Sequence, residues 1–244
     1  RLSEWANTLD LFANLQLSGT ERLVVGVNPL RPGTRFSGYA FEPDESRGGF
    51  SRFGANLTRL FVEGEFAEIF PNLDPSDELG LDFGFAVGRQ AMSIQQDILL
   101  NDVVDGVGIV RNSLTAPGAG NLRITGFVGW NEISRANTIE DQNAKLFGLF
   151  TQADMLHNTV ALDLIFVDSD DTGGDGLYFG ASSVQRFGLW TSSVRLLASQ
   201  SLEKRNTSAV SDGLLFFADF STTPESTDDI MYFTGFAAFG EFTQ

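Results

Sequence analysis

A two-residue beat of apolar and small or polar side chains runs the length of this chain, with no helix-length apolar run. Leu122, Ile124, Gly126, Val128 and Trp130 alternate with Arg123, Thr125, Phe127, Gly129 and Asn131. Leu81, Phe83, Phe85 and Val87 likewise alternate with Asp82, Gly84, Ala86 and Gly88. Strand side chains point to opposite faces with period two, so each segment has one greasy face and one small or polar face. A soluble sandwich also alternates, but it rarely needs so many long strands carrying 23 Phe. A transmembrane barrel needs an apolar lipid face and a polar lumen over about 9–11 residues per strand. The expected fold is all-β: an antiparallel transmembrane β-barrel of about 12 or more strands, with long outer loops and short periplasmic turns.

Composition narrows the choice. The 244 residues fit one barrel without a second domain. Hydrophobic residues make up 42% of the chain and the mean hydropathy is −0.02, ordinary for a soluble protein. A membrane protein with that profile spans by strands, the other way to satisfy backbone polar groups in lipid. Three Tyr and three Trp are few for the interfacial girdles. Of 26 Gly, several (Gly84, Gly88, Gly106, Gly108, Gly126, Gly129) sit inside strand patterns, where a barrel uses them for curvature and lumen space. With no Cys, disulfides, thiolate metal sites and Cys nucleophiles are excluded. The net charge of −16 argues against a basic patch for nucleic acid. Acidic loops could instead bind the divalent cations that bridge lipopolysaccharide.

Strand patterns occupy 56–70, 79–94, 105–111, 121–131, 145–152, 159–168, 176–184, 189–199, 213–220 and 230–242. The first stretch, Leu11 to Val27, reads either as one strand or as a hairpin turning at Ser18-Gly19-Thr20-Glu21. Long connectors are expected at 28–54, 95–104, 132–144 and 200–212, and short ones at 71–78, 112–120, 153–158 and 185–188. The stretch 169–175 fits the long class poorly. The chain opens Arg1-Leu2-Ser3 without a signal-peptide pattern. If the first stretch is one strand, the last ends on the outer side and one more must return. A single barrel domain over 1–244, incomplete at one or both ends, is therefore expected.

Within each strand the charged residues fall opposite the apolar parity. Arg59, Glu63, Glu65, Asp82, Arg123, Asp163, Arg195 and Asp219 are the expected pore-lining set, since a dry core would hardly tolerate both signs. In a wet lumen they are cheap and sort solutes by charge. The rival reading is that these faces meet bulk water on a soluble sheet. Strands 145–152 and 230–242 carry bulky residues on both faces. Arg89 falls on apolar parity, which requires it to lie beyond the hydrocarbon band or after a bulge.

The run Phe85-Ala86-Val87-Gly88-Arg89-Gln90, followed by Leu100-Asn101-Asp102-Val103-Val104-Asp105-Gly106-Val107, resembles the strand–loop–strand pattern of alginate-export-type and related outer-membrane porins. Gly19-Thr20-Glu21-Arg22 and Asn28-Pro29-Leu30 are similar to the first strand of that group. The likeness covers about a quarter of the chain, with short motifs. It implies a monomeric or trimeric barrel, of more strands than counted above, moving an anionic polymer or small solutes passively. The family's lumen is Arg-rich, whereas three Arg face five acids in the set above, so the polyanionic substrate does not carry over.

Three further groups carry candidate chemistry. His157, the only histidine, could serve as a general base, but no diagnostic Ser motif stands beside it in 153–158 and a turn residue is the simpler reading. The loop holding Asp168, Asp170 and Asp175 packs oxygen ligands and Gly as calcium sites do, yet lacks the EF-hand spacing; acidic turns are also common for solubility. Asp97, Asp102 and Asp105 could line a constriction loop footed by Ile98-Leu99-Leu100, or belong to an ordinary surface loop. No phosphate-binding Gly loop is present and no cofactor is expected beyond calcium at that loop.

The expected function is an outer-membrane diffusion channel for small hydrophilic solutes, cation- or neutral-leaning, embedded among lipid and lipopolysaccharide, possible as a homo-oligomer, and not an enzyme. The alternatives are a structural barrel with a plugged lumen that holds a partner protein, and a secreted glycan-binding β-sandwich.

Overall fold

The computed structural model describes residues 3–30, 37–42, 47–51, 53–54, 56–72, 80, 82–135, 140–169, 173–203 and 209–243. In chain order the strands are β1 (Ser3–Asn7), β2 (Leu11–Gln16), β3 (Arg22–Asn28), β4 (Ser37–Glu42), β5 (Gly48–Phe50), β6 (Asn56–Glu65), β7 (Phe83–Ile94), β8 (Leu100–Ala116) and β9 (Ala119–Trp130). They continue as β10 (Ile133–Ser134), β11 (Glu140–Asp141), β12 (Lys145–Met155), β13 (Asn158–Asp168), β14 (Gly176–Phe187), β15 (Trp190–Ser201), β16 (Gly213–Thr222) and β17 (Met231–Gly240). One single-turn helix, α1 (Phe66–Ile69), follows β6.

Twelve of these strands form one antiparallel meander in the order β2-β3-β6-β7-β8-β9-β12-β13-β14-β15-β16-β17. The fold is thus all-β and antiparallel. Among the described residues the sheet is open: β2 and β17 are its edges, and all their residues are exposed. Of the two small sheets, β1-β4-β5 joins the segment before β2 to the β3–β6 connector, and β10-β11 lies within the β9–β12 connector. The first stretch is a hairpin, with Leu11 opposite Val27 and Gln16 opposite Arg22, closed by the Leu17 N–H donating to the Glu21 carbonyl at 2.8 Å.

In a meander, alternate connectors lie at opposite ends of the sheet. One end holds the turns 17–21, 117–118, 156–157 and 188–189, together with 66–82 and 223–230. The other holds 29–55, 95–99, 131–144, 169–175 and 202–212, and both small sheets. Three two-residue hairpins thus face the longer loops across the strands.

The two faces of the sheet differ in kind. Register links Phe85, Ile109, Gly126, Leu149, Leu164, Phe179, Ala198, Leu214 and Phe239 into one row across nine strands. Most of its large members are exposed: Ile109, Leu149, Leu164, Phe179, Leu214 and Phe239. The opposite face runs Ala86, Gly108, Phe127, Gly148, Ile165, Tyr178, Ser199, and from Phe127 onward most of it is buried. Phe127, Leu146, Ile165, Val167, Tyr178 and Leu197 there pack with Leu99, Ile133 and Val210 from the loop end into one apolar cluster. Glycines make its rings fit: a Cβ on Gly106 would stand 2.4 Å from Phe127 Cζ, and one on Gly148 would stand 2.5 Å from Phe150 Cζ. The chain exposes 15113 Å², against about 10,700 Å² for a compact soluble monomer of this mass.

Candidate functional site

The face opposite the exposed apolar one gathers most of the charged residues picked out by parity; Asp163 and Arg195 are buried there, whereas Arg59, Glu65 and Arg123 are exposed. Glu63 on β6 opposes Ala86, which leads by register through Gly108 to Phe127. Arg123 shares that face of β9 and opposes Gln152, which opposes Ala161 two residues from Asp163. Asp163 opposes Gly180, Ser182 opposes Arg195, and Ser193 opposes Asp219. Arg59 and Glu65 fall on the same face of β6. Asp82, exposed, lies just before β7. One face therefore carries seven of the eight within strands.

Most of these groups are paired across strands. Arg22 Nε bonds Glu63 Oε1, Arg123 Nη2 donates to Gln152 Oε1 at 2.7 Å, and Arg195 Nη1 lies 3.5 Å from Asp219 Oδ2. Thr234 donates to the other oxygen of Asp219 at 2.7 Å. Arg195 is 2% exposed and stands over the Phe217 ring. Asp163 is 6% exposed and accepts from Gln95 Nε2 at 2.6 Å. Buried charge is expensive unless it is bonded or meets water, and here the strands open onto two cavities. One, of about 280 Å³, is lined by Gln95, Arg123, Gln152, Asp163, Ser182 and Arg195 among others. The second, of about 360 Å³, holds Glu63, Glu65, Gln90 and Asn112. Thr125 lines both.

The exposed face is bounded at the loop end by a polar row. Arg89, Asp105, Trp130, Lys145 and Asp168 are consecutive register partners on five strands. Arg89 bonds Asp105 at 3.2 Å and Glu132 at 2.6 Å, and Asn131 donates to Asp105 at 3.2 Å. The apolar parity of Arg89 is accounted for by this edge position. Below that row, among the described residues, the exposed face of β9 and of β12 to β17 carries no Asp, Glu, Lys or Arg. Near the turn end, Trp190 and Phe233 lie 6.1 Å apart between ring centres. Arg111, on exposed parity in β8, sits over the Phe83 ring at 4.8 Å.

Other candidate residues are scattered. Asp97 is in the turn 95–99, but Asp102 and Asp105 lie in β8, because that strand begins at Leu100. Asp102 accepts from the Ser134 N–H at 2.7 Å and from its hydroxyl at 3.1 Å, holding β10, while Asp105 faces the other side of the sheet. The three acids are not gathered in one loop; the turn's apolar foot, Leu99, is 2% exposed within the cluster. Asp168 ends β13, Asp175 accepts from the Ser169 N–H at 3.0 Å, and Asp170 lies outside the described residues. Among the described residues no group of three His, Cys, Asp or Glu could hold a metal. His157 is exposed in a two-residue turn.

Several polar residues escaped parity reasoning. Gln95 carries no charge to flag it. Arg135, 5% exposed, donates from Nη2 to the Gly174 carbonyl, while Asp141 accepts from Ser169 Oγ and from the N–H groups of Asn143 and Ala144. These bonds tie loop 131–144 to loop 169–175, and nothing periodic in a loop announces such a partner. No protein-family model matches this chain, and no curated protein resembles it at a significant level.

Proposed function

We propose that this chain forms the wall of an outer-membrane β-barrel channel that passes small hydrophilic solutes by diffusion. The observation that supports the reading is the contrast between faces: an exposed apolar face almost free of charge, and an opposite face holding both charge signs beside two cavities of mixed polar and apolar lining. Lipid requires the first and a wet lumen tolerates the second. Lys145 and Met155 are ten residues apart on β12, about 33 Å along a strand. A strand tilt of about 40° reduces this to about 25 Å, the height of an outer-membrane apolar band. The even strand count makes β2 and β17 antiparallel, so closure between them follows the pairing used elsewhere in the sheet.

Acids outnumber Arg in the expected lining set, which favours cations or neutral solutes over anions. The test is single-channel conductance of purified protein in a planar bilayer under a salt gradient. Discrete steps with a cation-leaning reversal potential are expected, and that preference should fall when Glu63, Glu65 and Asp82 are all replaced by neutral residues. An unchanged reversal potential would remove these three from the lining.

One observation favours a second reading. The apolar cluster of Leu99, Phe127, Leu146, Ile165 and Leu197 occupies the loop-end half of the buried face, as it would in a plugged, structural barrel. Silence from protein shown to be inserted and folded would support that reading.

A further inference from the structure

Gln95, Gln96 and Asp97 have φ of 54°, 56° and 67°, three successive non-glycine residues in the left-handed region. Such backbone is sterically unfavourable for L-residues and persists only where surroundings hold it. The turn itself supplies two backbone bonds, Leu99 N–H to the Ile94 carbonyl at 3.3 Å and Ile98 N–H to the Gln95 carbonyl at 3.4 Å. The stronger hold comes from afar. This turn joins β7 to β8, yet Gln95 bonds Asp163 on β13 at 2.6 Å, three places beyond β8 in the sheet. Leu99 is buried in the apolar cluster. Both seat against Gly180 on β14, where an added Cβ would stand 2.9 Å from Leu99 Cδ2 and 3.0 Å from Gln95 Cγ. A five-residue connector thus spans the buried face, and Ser93, Ile94, Gln95 and Gln96 wall the 280 Å³ cavity beneath it.

We infer that turn 95–99 is the constriction of the channel, with Gln95 and Gln96 walling the opening and the buried Leu99 and Gly180 seating the turn. The inference rests on the channel reading above. Asp163 acts as the anchor: its carboxylate accepts the Gln95 amide bond, and Gly180 leaves the turn space to lie flat on β14. Cutting the bond removes the Gln95 tie to β13 while Leu99 stays buried, and the Gln95–Gln96 end of the turn moves off that strand.

The experiment uses the full chain in planar bilayers, with conductance and exclusion of graded polyethylene glycols as readouts. Gln95→Ala is expected to raise unit conductance about twofold and to admit larger polymers, whereas Thr115→Ala at the far end should match the unaltered protein. Because the chain has no Cys, Gln95→Cys with Asp163→Cys can be bridged by a short, reducible bifunctional thiol reagent. The bridged protein should keep the narrow conductance, and reduction should widen it within the same folded molecule. Channels whose conductance and exclusion limit ignore both Gln95→Ala and release of the bridge would overturn the inference and leave the channel reading intact. Silence from inserted protein, bridged and released alike, would overturn both. Silence that ends on release would identify the turn as the block.

Discussion

At the scale of single residues, glycines separate positions the fold cannot change from positions it can. Gly88 has φ of +128°, and a Cβ there would stand 2.2 Å from the Leu60 carbonyl oxygen and 2.9 Å from Phe61 Cα. Backbone cannot step aside as a flexible side chain does. Gly88→Ala is expected to cost about 1–3 kcal/mol by overpacking, read as a lower denaturant midpoint in lipid or detergent. Gly126, on the exposed face, has nothing within 4 Å of a built Cβ, and Gly126→Ala should stay within about 0.5 kcal/mol of the unaltered protein. Equal losses at the two sites would contradict the register that separates them. Arg111 shows the other residue-scale adjustment. A cation on the apolar parity of β8 lays its guanidinium over the Phe83 ring, sheltering the charge while its stem stays on apolar surface.

At the scale of elements, the alternation is a working constraint. Leu164 and Ala161 lie on opposite faces of β13, the first exposed and the second lining the 280 Å³ cavity. Leu164→Arg should destabilise by about 2–4 kcal/mol if that face meets the bilayer midplane, whereas Ala161→Lys on the cavity side should cost less than about 1 kcal/mol. Chemical denaturation in vesicles reads both, and equal costs would contradict the assignment of faces. These strands were legible because β9, β14, β15 and β16, and β13 up to Asp168, keep every second residue free of charge while charges fall on the other parity. The first hairpin was ambiguous because Gly19 and Glu21 hold the parity of Leu17 and Leu23 through the turn. Phe66–Ile69 reads as more strand, yet it closes into one helical turn whose Phe66 ring packs on Phe85 at 5.1 Å. The long connector expected at 95–104 shrinks to 95–99 because Asn101 and Asp102 continue the ladder despite their polarity. The bulky pairs of 145–152 also have a physical reason: Leu146 and Phe150 join the apolar packing on the buried face, while Phe147 and Leu149 are exposed. Of the candidate site, the charged set was visible in the parity, and the Gln95 contact was not. A bond between residues 68 positions apart leaves no trace in local spacing.

At the scale of the whole molecule, the open edges carry the consequence. Among the described residues β2 and β17 each have one unpaired backbone edge, near Phe12, Phe233, Phe236 and Phe239, all well exposed, and such edges pair when they can. In the channel account they pair with one another. Double substitutions that put one cysteine on each strand of the same chain, oxidised in membranes, should give cross-links within one chain at antiparallel register. Cross-links only between chains would make the wall an assembly of copies. The most direct test of the two-faced wall uses the same Cys-free background. Cysteines placed singly at Gln152, Ala161 and Ser182, and at Leu149, Leu164 and Phe179, would be exposed in vesicles to a charged, membrane-impermeant thiol reagent. Labelling is expected of the first three, which line the 280 Å³ cavity, and protection of the last three, which the channel reading sets against lipid. Labelling of Leu149, Leu164 and Phe179 as fast as the cavity positions would show that the apolar face meets water, and the membrane channel would fall.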